Sequence, residues 1–171
     1  MSDTTFFTTM PSPAGRLTLV GSGDHLLGLY FDGDSRAPAA EADGCLRDDL
    51  RLRPAVVQME EYFAGRRTRF DLSLAPQGTP FQRQVWQALQ AIPYGETTSY
   101  GELARAIGRP GAFRAVGGAN NRNPIAIVIP CHRVIGADGS MTGYGGGLPN
   151  KHLLLALEAK VGAAPRFAAA R

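Results

Sequence analysis

Asn123-Pro124-Ile125-Ala126-Ile127-Val128-Ile129-Pro130-Cys131-His132-Arg133-Val134 is the stretch on which the rest of the chain turns. It opens on a turn dipeptide, runs through an apolar, mostly β-branched segment too short for a helix, and meets a proline. Pro130 has no N–H to donate and disfavours the helical region at Ile129, so 125–129 reads as an extended strand with a turn at its end. A thiol then stands at the tip of a rigid element, beside an imidazole and a guanidinium.

A lone cysteine is commonly a small buried hydrophobe. His132 and Arg133 are instead neighbours that favour a thiolate, and a thiol with an ordinary pKa of about 8.5 needs such help to act as a nucleophile at neutral pH. The local residues leave both readings standing.

Upstream the period becomes helical. Thr79 can cap a helix with Pro80 at its first position, and Phe81, Val85, Trp86, Leu89 and Ile92 fall on one side, which assigns Trp86 to a core. After the turn at Pro93-Tyr94-Gly95 a second helix begins near Ser99 and carries Leu103 and Ile107 inward. Gly108-Arg109-Pro110 breaks it, and a third runs over 111–119, giving a helix-turn-helix pattern that also occurs in proteins that never meet DNA. The third helix is built of small residues (Ala112, Ala115, Gly117, Gly118, Ala119), which suits close helix packing or approach to a nucleic-acid groove.

Downstream, Gly143-Tyr144-Gly145-Gly146-Gly147 is a backbone-permissive loop that on its own reads as a surface turn. Asn150 can cap a last helix over 151–160, with Leu153, Leu154 and Leu157 on its apolar face. Glu158 lies beside that face, where a carboxylate is either solvated or held by a partner. The Ala- and Gly-rich end, 161–171, is expected to fray.

The first half reads as a small α/β unit. Short β-rich runs at 4–10, 16–20 and 26–31 are separated by Gly/Pro turns and suggest an antiparallel meander. The polar stretch 32–44 reads as a loop, 54–63 as a helix stopped by Gly65, and the alternating 70–74 as a further strand. A linker at 75–80 divides a scaffold, 1–77, from a mostly α-helical, winged-helix-like domain, 78–171. No catalytic constellation appears in 1–77.

With 171 residues, 44% of them hydrophobic and 19% charged, the chain has the composition of a globular protein with a sizeable core. No apolar run can cross a bilayer, and Met1-Ser2-Asp3-Thr4-Thr5 lacks the features of a secretory signal, so a cytoplasmic address is expected. The net charge of +3 conceals an asymmetry: 78–171 holds ten Lys/Arg against four Asp/Glu, and 1–77 holds eight against eleven. A basic half suits a polyanion, and equally a solvated basic face. Cys45 and Cys131 are expected to be reduced.

Taken in order, Ser99-Tyr100-Gly101-Glu102-Leu103-Ala104, Arg114-Ala115-Val116-Gly117-Gly118-Ala119, Asn123-Pro124, Pro130-Cys131-His132-Arg133-Val134 and Gly143-Tyr144-Gly145-Gly146-Gly147 resemble the O6-alkylguanine-DNA alkyltransferases. These are also called methylated-DNA–protein-cysteine methyltransferases. The resemblance covers the second half, and the first half matches only in layout. It implies direct repair: the alkyl group of O6-alkylguanine, with O4-alkylthymine left open, passes to Cys131. The damaged nucleotide is first flipped out of the duplex, since its alkyl carbon cannot otherwise line up with the sulfur. His132 acts through a water on Cys131, Glu158 orients His132, Tyr100 donates near the leaving atom, and Asn123 holds the turn before the cysteine. Arg114, which alone would read as a phosphate contact or surface charge, inserts into the base stack, and Ala115, Gly117 and Gly118 line the minor groove with Tyr100. Pro130, Tyr144, Gly145 and Gly146 wall the base pocket. Relatives often carry a hydroxyl residue at the position of Gly145; here only the backbone N–H of Gly145 can serve O6. Arg133 is assigned a structural pairing.

A thioether does not hydrolyse readily, so the resemblance implies one transfer per molecule with no cofactor. Some relatives carry zinc in the first half, but Cys45 and His25 are too few soft ligands for the usual four, and no metal is expected. The partner is double-stranded DNA carrying O6-alkylguanine, with no membrane. A monomer is expected, and assembly along DNA is left open. Two rival classes remain. In a cysteine hydrolase Cys131 and His132 would turn over repeatedly, although sequence neighbours seldom face each other well enough for a dyad. A non-catalytic helix-turn-helix module would bind DNA without being labelled.

Overall fold

The computed structural model describes residues 4–39 and 44–162. Three strands, β1 (Thr5–Met10), β2 (Leu17–Ser22) and β3 (His25–Phe31), form the expected meander. β1 and β2 pair antiparallel from Thr5↔Ser22 to Met10↔Leu17. Between β2 and β3 the register shifts: Val20 faces Gly28 and Gly21 faces Leu26. Leu27 is thereby bulged out, so Leu26 and Leu29, an odd number of residues apart, both join the main core. Phe7, Val20 and Cys45 form a smaller cluster with Leu27 and Tyr30.

The sheet is mixed rather than purely antiparallel. A two-residue strand, β4 (Leu46–Arg47), lies parallel to β1 and completes the order β3-β2-β1-β4. Both of its residues are exposed, so it leaves no alternation in the sequence. The strand expected at 70–74 is a single bridge between Leu26 and Leu74, made by Leu26 N–H to Ser73 O and Ala75 N–H to Leu26 O. The outer edge of β3 cannot take a longer partner there, because Leu29 on the same strand bridges Ile125.

α1 (Arg53–Phe63) ends at Gly65, whose φ of +74° provides the left-handed stop. α2 (Pro80–Leu89) begins with a capping box in which Thr79 and Gln82 exchange bonds. β5 (Thr98–Ser99) leads into α3 (Tyr100–Ala106), which has a second capping box between Ser99 and Glu102. Gly108 turns the chain at φ +74° into α4 (Phe113–Asn121), completing the helix-turn-helix. Trp86 is buried as expected and ties α2 to α4 through Nε1–H to Ala119 O at 2.8 Å. β6 (Val134–Ile135) pairs parallel with β5.

The last helix, α5 (Leu148–Gly162), starts before the expected cap. Asn150 therefore sits inside its first turn, where Nδ2 donates to Gly146 O at 2.8 Å. Beyond 162, the expected fraying of the tail lies outside the described residues. One continuous core runs through both halves, from Phe6 and Met10 to Ile129 and Leu154. No helix of the described residues is long and apolar enough to cross a membrane.

Candidate active site

The segment leading to the cysteine is a tight coil, not the extended strand its composition predicts. Asn123 overrides the β-branched run: its Oδ1 accepts from Ile125 N–H at 3.0 Å and its Nδ2 donates to Ile129 O at 2.7 Å. That staple draws Ile129 N–H onto Ile125 O at 3.0 Å. Inside the coil, Val128 N–H bonds Ala126 O at 2.8 Å around Ile127, whose φ is +71°. This is a γ-turn of the strained kind, at a β-branched residue, and costs about 1–3 kcal/mol. A second γ-turn, of the relaxed inverse kind, follows at Pro130 (φ −82°, ψ 64°), where Cys131 N–H bonds Ile129 O at 2.8 Å. The coil leans on the first half of the chain, since Leu29 N–H bonds Pro124 O and Ala126 N–H bonds Leu29 O.

Cys131 begins a single 3-10 turn, Cys131–Arg133, and is 5% exposed. Burial pushes its thiol up, while the Asn123 amide, the Tyr144 hydroxyl and the Lys151 ammonium favour the thiolate. The cleft above it encloses about 260 Å³, open mouth included, and is shared with Asn123, Tyr144, Gly145, Gly146 and Arg36. Gly146 must be glycine, because a Cβ there would lie 2.4 Å from the Phe31 ring. Pro130, expected in this pocket, lines a separate groove with Ile127, Val128 and Arg133; as the apex of its γ-turn it faces away from the thiol cleft.

His132 and Glu158 are fully buried and joined, Nε2 to Oε1 at 2.8 Å. Arg133 grips the same carboxylate in a fork, Nε to Oε2 at 2.9 Å and Nη2 to Oε1 at 2.8 Å, and donates Nη1 to Ile92 O. From α1, 96 residues away in sequence, the Tyr62 hydroxyl also donates to Oε1 at 2.9 Å. Burial alone would raise the Glu158 carboxyl, but the bonds from His132 and Arg133 outweigh it and hold it at about 2. Burial lowers the His132 imidazolium, with Glu158 opposing. At neutral pH the imidazole is neutral. A carboxylate accepts and cannot donate, so the ring proton sits on Nε2 and leaves the Nδ1 lone pair free. Nδ1 is buried and has no hydrogen-bond partner among the described residues.

Tyr100 is half-buried, with its hydroxyl 2.8 Å from Thr142 Oγ1 in the loop after β6. On α4, Val116, Ala119 and Asn120 face the core, whereas Arg114, Ala115 and Gly118 are exposed and Gly117 abuts the Tyr100 ring. Among the described residues no group of three or more His, Cys, Asp or Glu could hold a metal ion.

Four contributors escaped the sequence reading. Tyr62 stands among the apolar residues of α1 with nothing in its own helix to mark it, although a buried phenol needs a partner. Arg36, in a polar loop with no signal, donates Nη1 to Asn123 O at 3.2 Å and pairs with Asp34. Asn120 donates to the Cys131 carbonyl at 3.4 Å. Lys151, in α5, has no exposed surface.

Two family profiles match the chain: the 6-O-methylguanine DNA methyltransferase ribonuclease-like domain over residues 5–76, and the DNA-binding domain of the same family over 80–160. A methylated-DNA–protein-cysteine methyltransferase of Mycolicibacterium paratuberculosis is 54% identical over 89% of this chain and 91% of its own length. Its counterpart in Methanosarcina barkeri is 50% identical over 90% and 96%. The crystal structure of the Mycobacterium tuberculosis O6-methylguanine methyltransferase superposes with a TM-score of 0.85 at 49% identity, over 94% of this chain and 96% of that one. A structure of the same organism's OGT in complex with DNA gives the same TM-score at 50% identity, over 91% and 94%. With both halves matched and half of its residues shared along nine-tenths of its length, the chain belongs to the 6-O-methylguanine DNA methyltransferase family.

Proposed function

We propose that this chain repairs DNA by moving the alkyl group of O6-alkylguanine onto Cys131, once per molecule and without a cofactor. The observation that carries the assignment of roles is the buried His132–Glu158–Arg133 cluster immediately after the cysteine, which fixes the imidazole tautomer and leaves Nδ1 as a base. The Cys131 proton passes to Nδ1 through a water. The thiolate attacks the alkyl carbon in line, an S–C bond forms as the C–O6 bond breaks, and guanine leaves with the electron pair. Tyr100 protonates the leaving base and recovers its proton through solvent.

The exposed face of α4 meets the minor groove, with Arg114 filling the space of the everted nucleotide and Ala115, Gly117 and Gly118 allowing close approach. Tyr144, Gly145 and Gly146 receive the base. A purine reaches the sulfur of Cys131, a residue only 5% exposed, after the loop around Gly145 lifts from Asn121, whose carbonyl would be 3.5 Å from a Cβ there. The same movement releases the Tyr100 hydroxyl from Thr142. Residues 1–77 serve as the scaffold and 78–171 as the part that binds DNA and reacts, in the cytoplasm.

Intact-mass analysis after mixing with a duplex containing O6-methylguanine tests the proposal. One added methyl group, mapped to Cys131 and absent in Cys131→Ala, is expected. Multiple turnovers, or DNA binding with no adduct, would overturn it.

A further inference from the structure

The buried charges around the thiol do not balance. Glu158 and Arg133 neutralise each other through the fork, and His132 is held neutral. Arg36 is matched by Asp34 at 2.7 Å. Lys151 is left over: it has no exposed surface, yet no ion pair among the described residues includes it. Its Nζ donates to Val134 O at 2.6 Å and to Thr142 O at 3.4 Å, and stands 6.0 Å from the centre of the Tyr144 ring. Two carbonyls satisfy donors but supply no opposite charge, and a buried ammonium without one is poorly tolerated.

The surroundings of Nζ point to the missing partner. Val134 follows directly on the turn that begins at Cys131, and Tyr144 shares the thiol's cleft. Besides the thiol, the titratable groups that line the cleft are Asp34, Arg36 and Tyr144. Asp34 is taken up by Arg36, and burial holds the Tyr144 phenol well above its ordinary value, which leaves the thiol as the group to pair with Lys151.

We infer that Lys151 is a positioning residue whose ammonium is the counter-charge of the Cys131 thiolate, and whose carbonyl bonds hold β6 and the Thr142 loop around it. The inference rests on Cys131 being the nucleophile of the proposed function and needs nothing from DNA. It is consistent with opposing pulls on both groups. Burial lowers the Lys151 ammonium and the thiol's charge draws it back up, while burial raises the thiol and Lys151 draws it down.

The test uses the full chain and iodoacetamide, which forms an S–C bond as iodide leaves, with labelling of Cys131 followed by mass mapping between pH 5 and 10. In Lys151→Met the midpoint of the pH–rate profile moves up by about one unit, a tenfold loss at neutral pH, while the alkaline plateau is kept. Lys151→Arg restores most of the rate. A Lys151→Met profile that superposes on the parent, or falls equally at every pH, overturns the inference. A second measurement does not depend on how that variant folds: the Lys151 titration is followed by NMR of 13Cε-labelled lysine in the parent chain and in Cys131→Ser. Its midpoint is lower in Cys131→Ser, and equal midpoints overturn the inference. Methyl transfer from O6-methylguanine DNA is scored separately. Its absence beside an intact labelling shift sinks the substrate and keeps the ion pair, and the reverse sinks the ion pair alone.

Discussion

Replacing Glu158 by glutamine removes one charge from the buried cluster and keeps its volume. A carboxyl held at about 2 instead of the usual 4.5 contributes about 3 kcal/mol to stability at neutral pH. Breaking a buried pair gives a similar size by another route, about 3–5 kcal/mol, because Arg133 is left without its counter-ion. The sign follows from the depressed pKa: the contribution is fully present above about pH 4.5 and disappears as pH falls through about 2. Urea unfolding of the parent chain and Glu158→Gln should therefore differ by about 3 kcal/mol at pH 7, with the gap narrowing steadily below pH 4. Carboxylates elsewhere titrate in both proteins and cancel in the difference. A gap that stays constant with pH, or one under about 1 kcal/mol at pH 7, would refute the view that Glu158 is an ionised hub.

Asn123→Ala should cost about 2–4 kcal/mol, since two bonds are lost and the Ile125 N–H is left buried without a partner; thermal unfolding measures this. The released coil should also let Ile127 relax, so Cys131 labelling should lose its single-exponential course. Gly146→Ala drives a methyl into the Phe31 ring and should cost about 1–3 kcal/mol in unfolding experiments while slowing methyl transfer. Arg114→Ala should slow transfer from duplex DNA at least tenfold, and from a mismatched or single-stranded lesion much less, because only the paired base must be displaced. Equal slowing on both substrates would make Arg114 an ordinary phosphate contact.

The sequence was most legible where local chemistry and tertiary packing agree. Thr79-Pro80 and Ser99 with Glu102 announce helix starts that the structure reproduces as two capping boxes, and the stripe containing Trp86 does face the core. It misled where a side chain outvotes the pattern. Residues 125–129 have every preference for a strand, yet one amide from Asn123 folds them into a tight coil around a γ-turn at Ile127. β4 is too short and too exposed to leave an alternation, and α5 begins ahead of its apparent cap. The partners of Glu158 were half legible: His132 and Arg133 lie inside the motif, but Tyr62 arrives from the other half of the chain, and no local window contains such a contact.

The pairing of Leu29 with Ile125 has a consequence for anyone who would trim this protein to its reactive part. The first half holds none of the residues proposed to react, yet it is the anvil against which the cysteine coil is forged, and through Tyr62 it also clasps the Glu158 carboxylate. A shortened version starting at α2 would keep every conspicuous motif and lose the backing that gives them their shape.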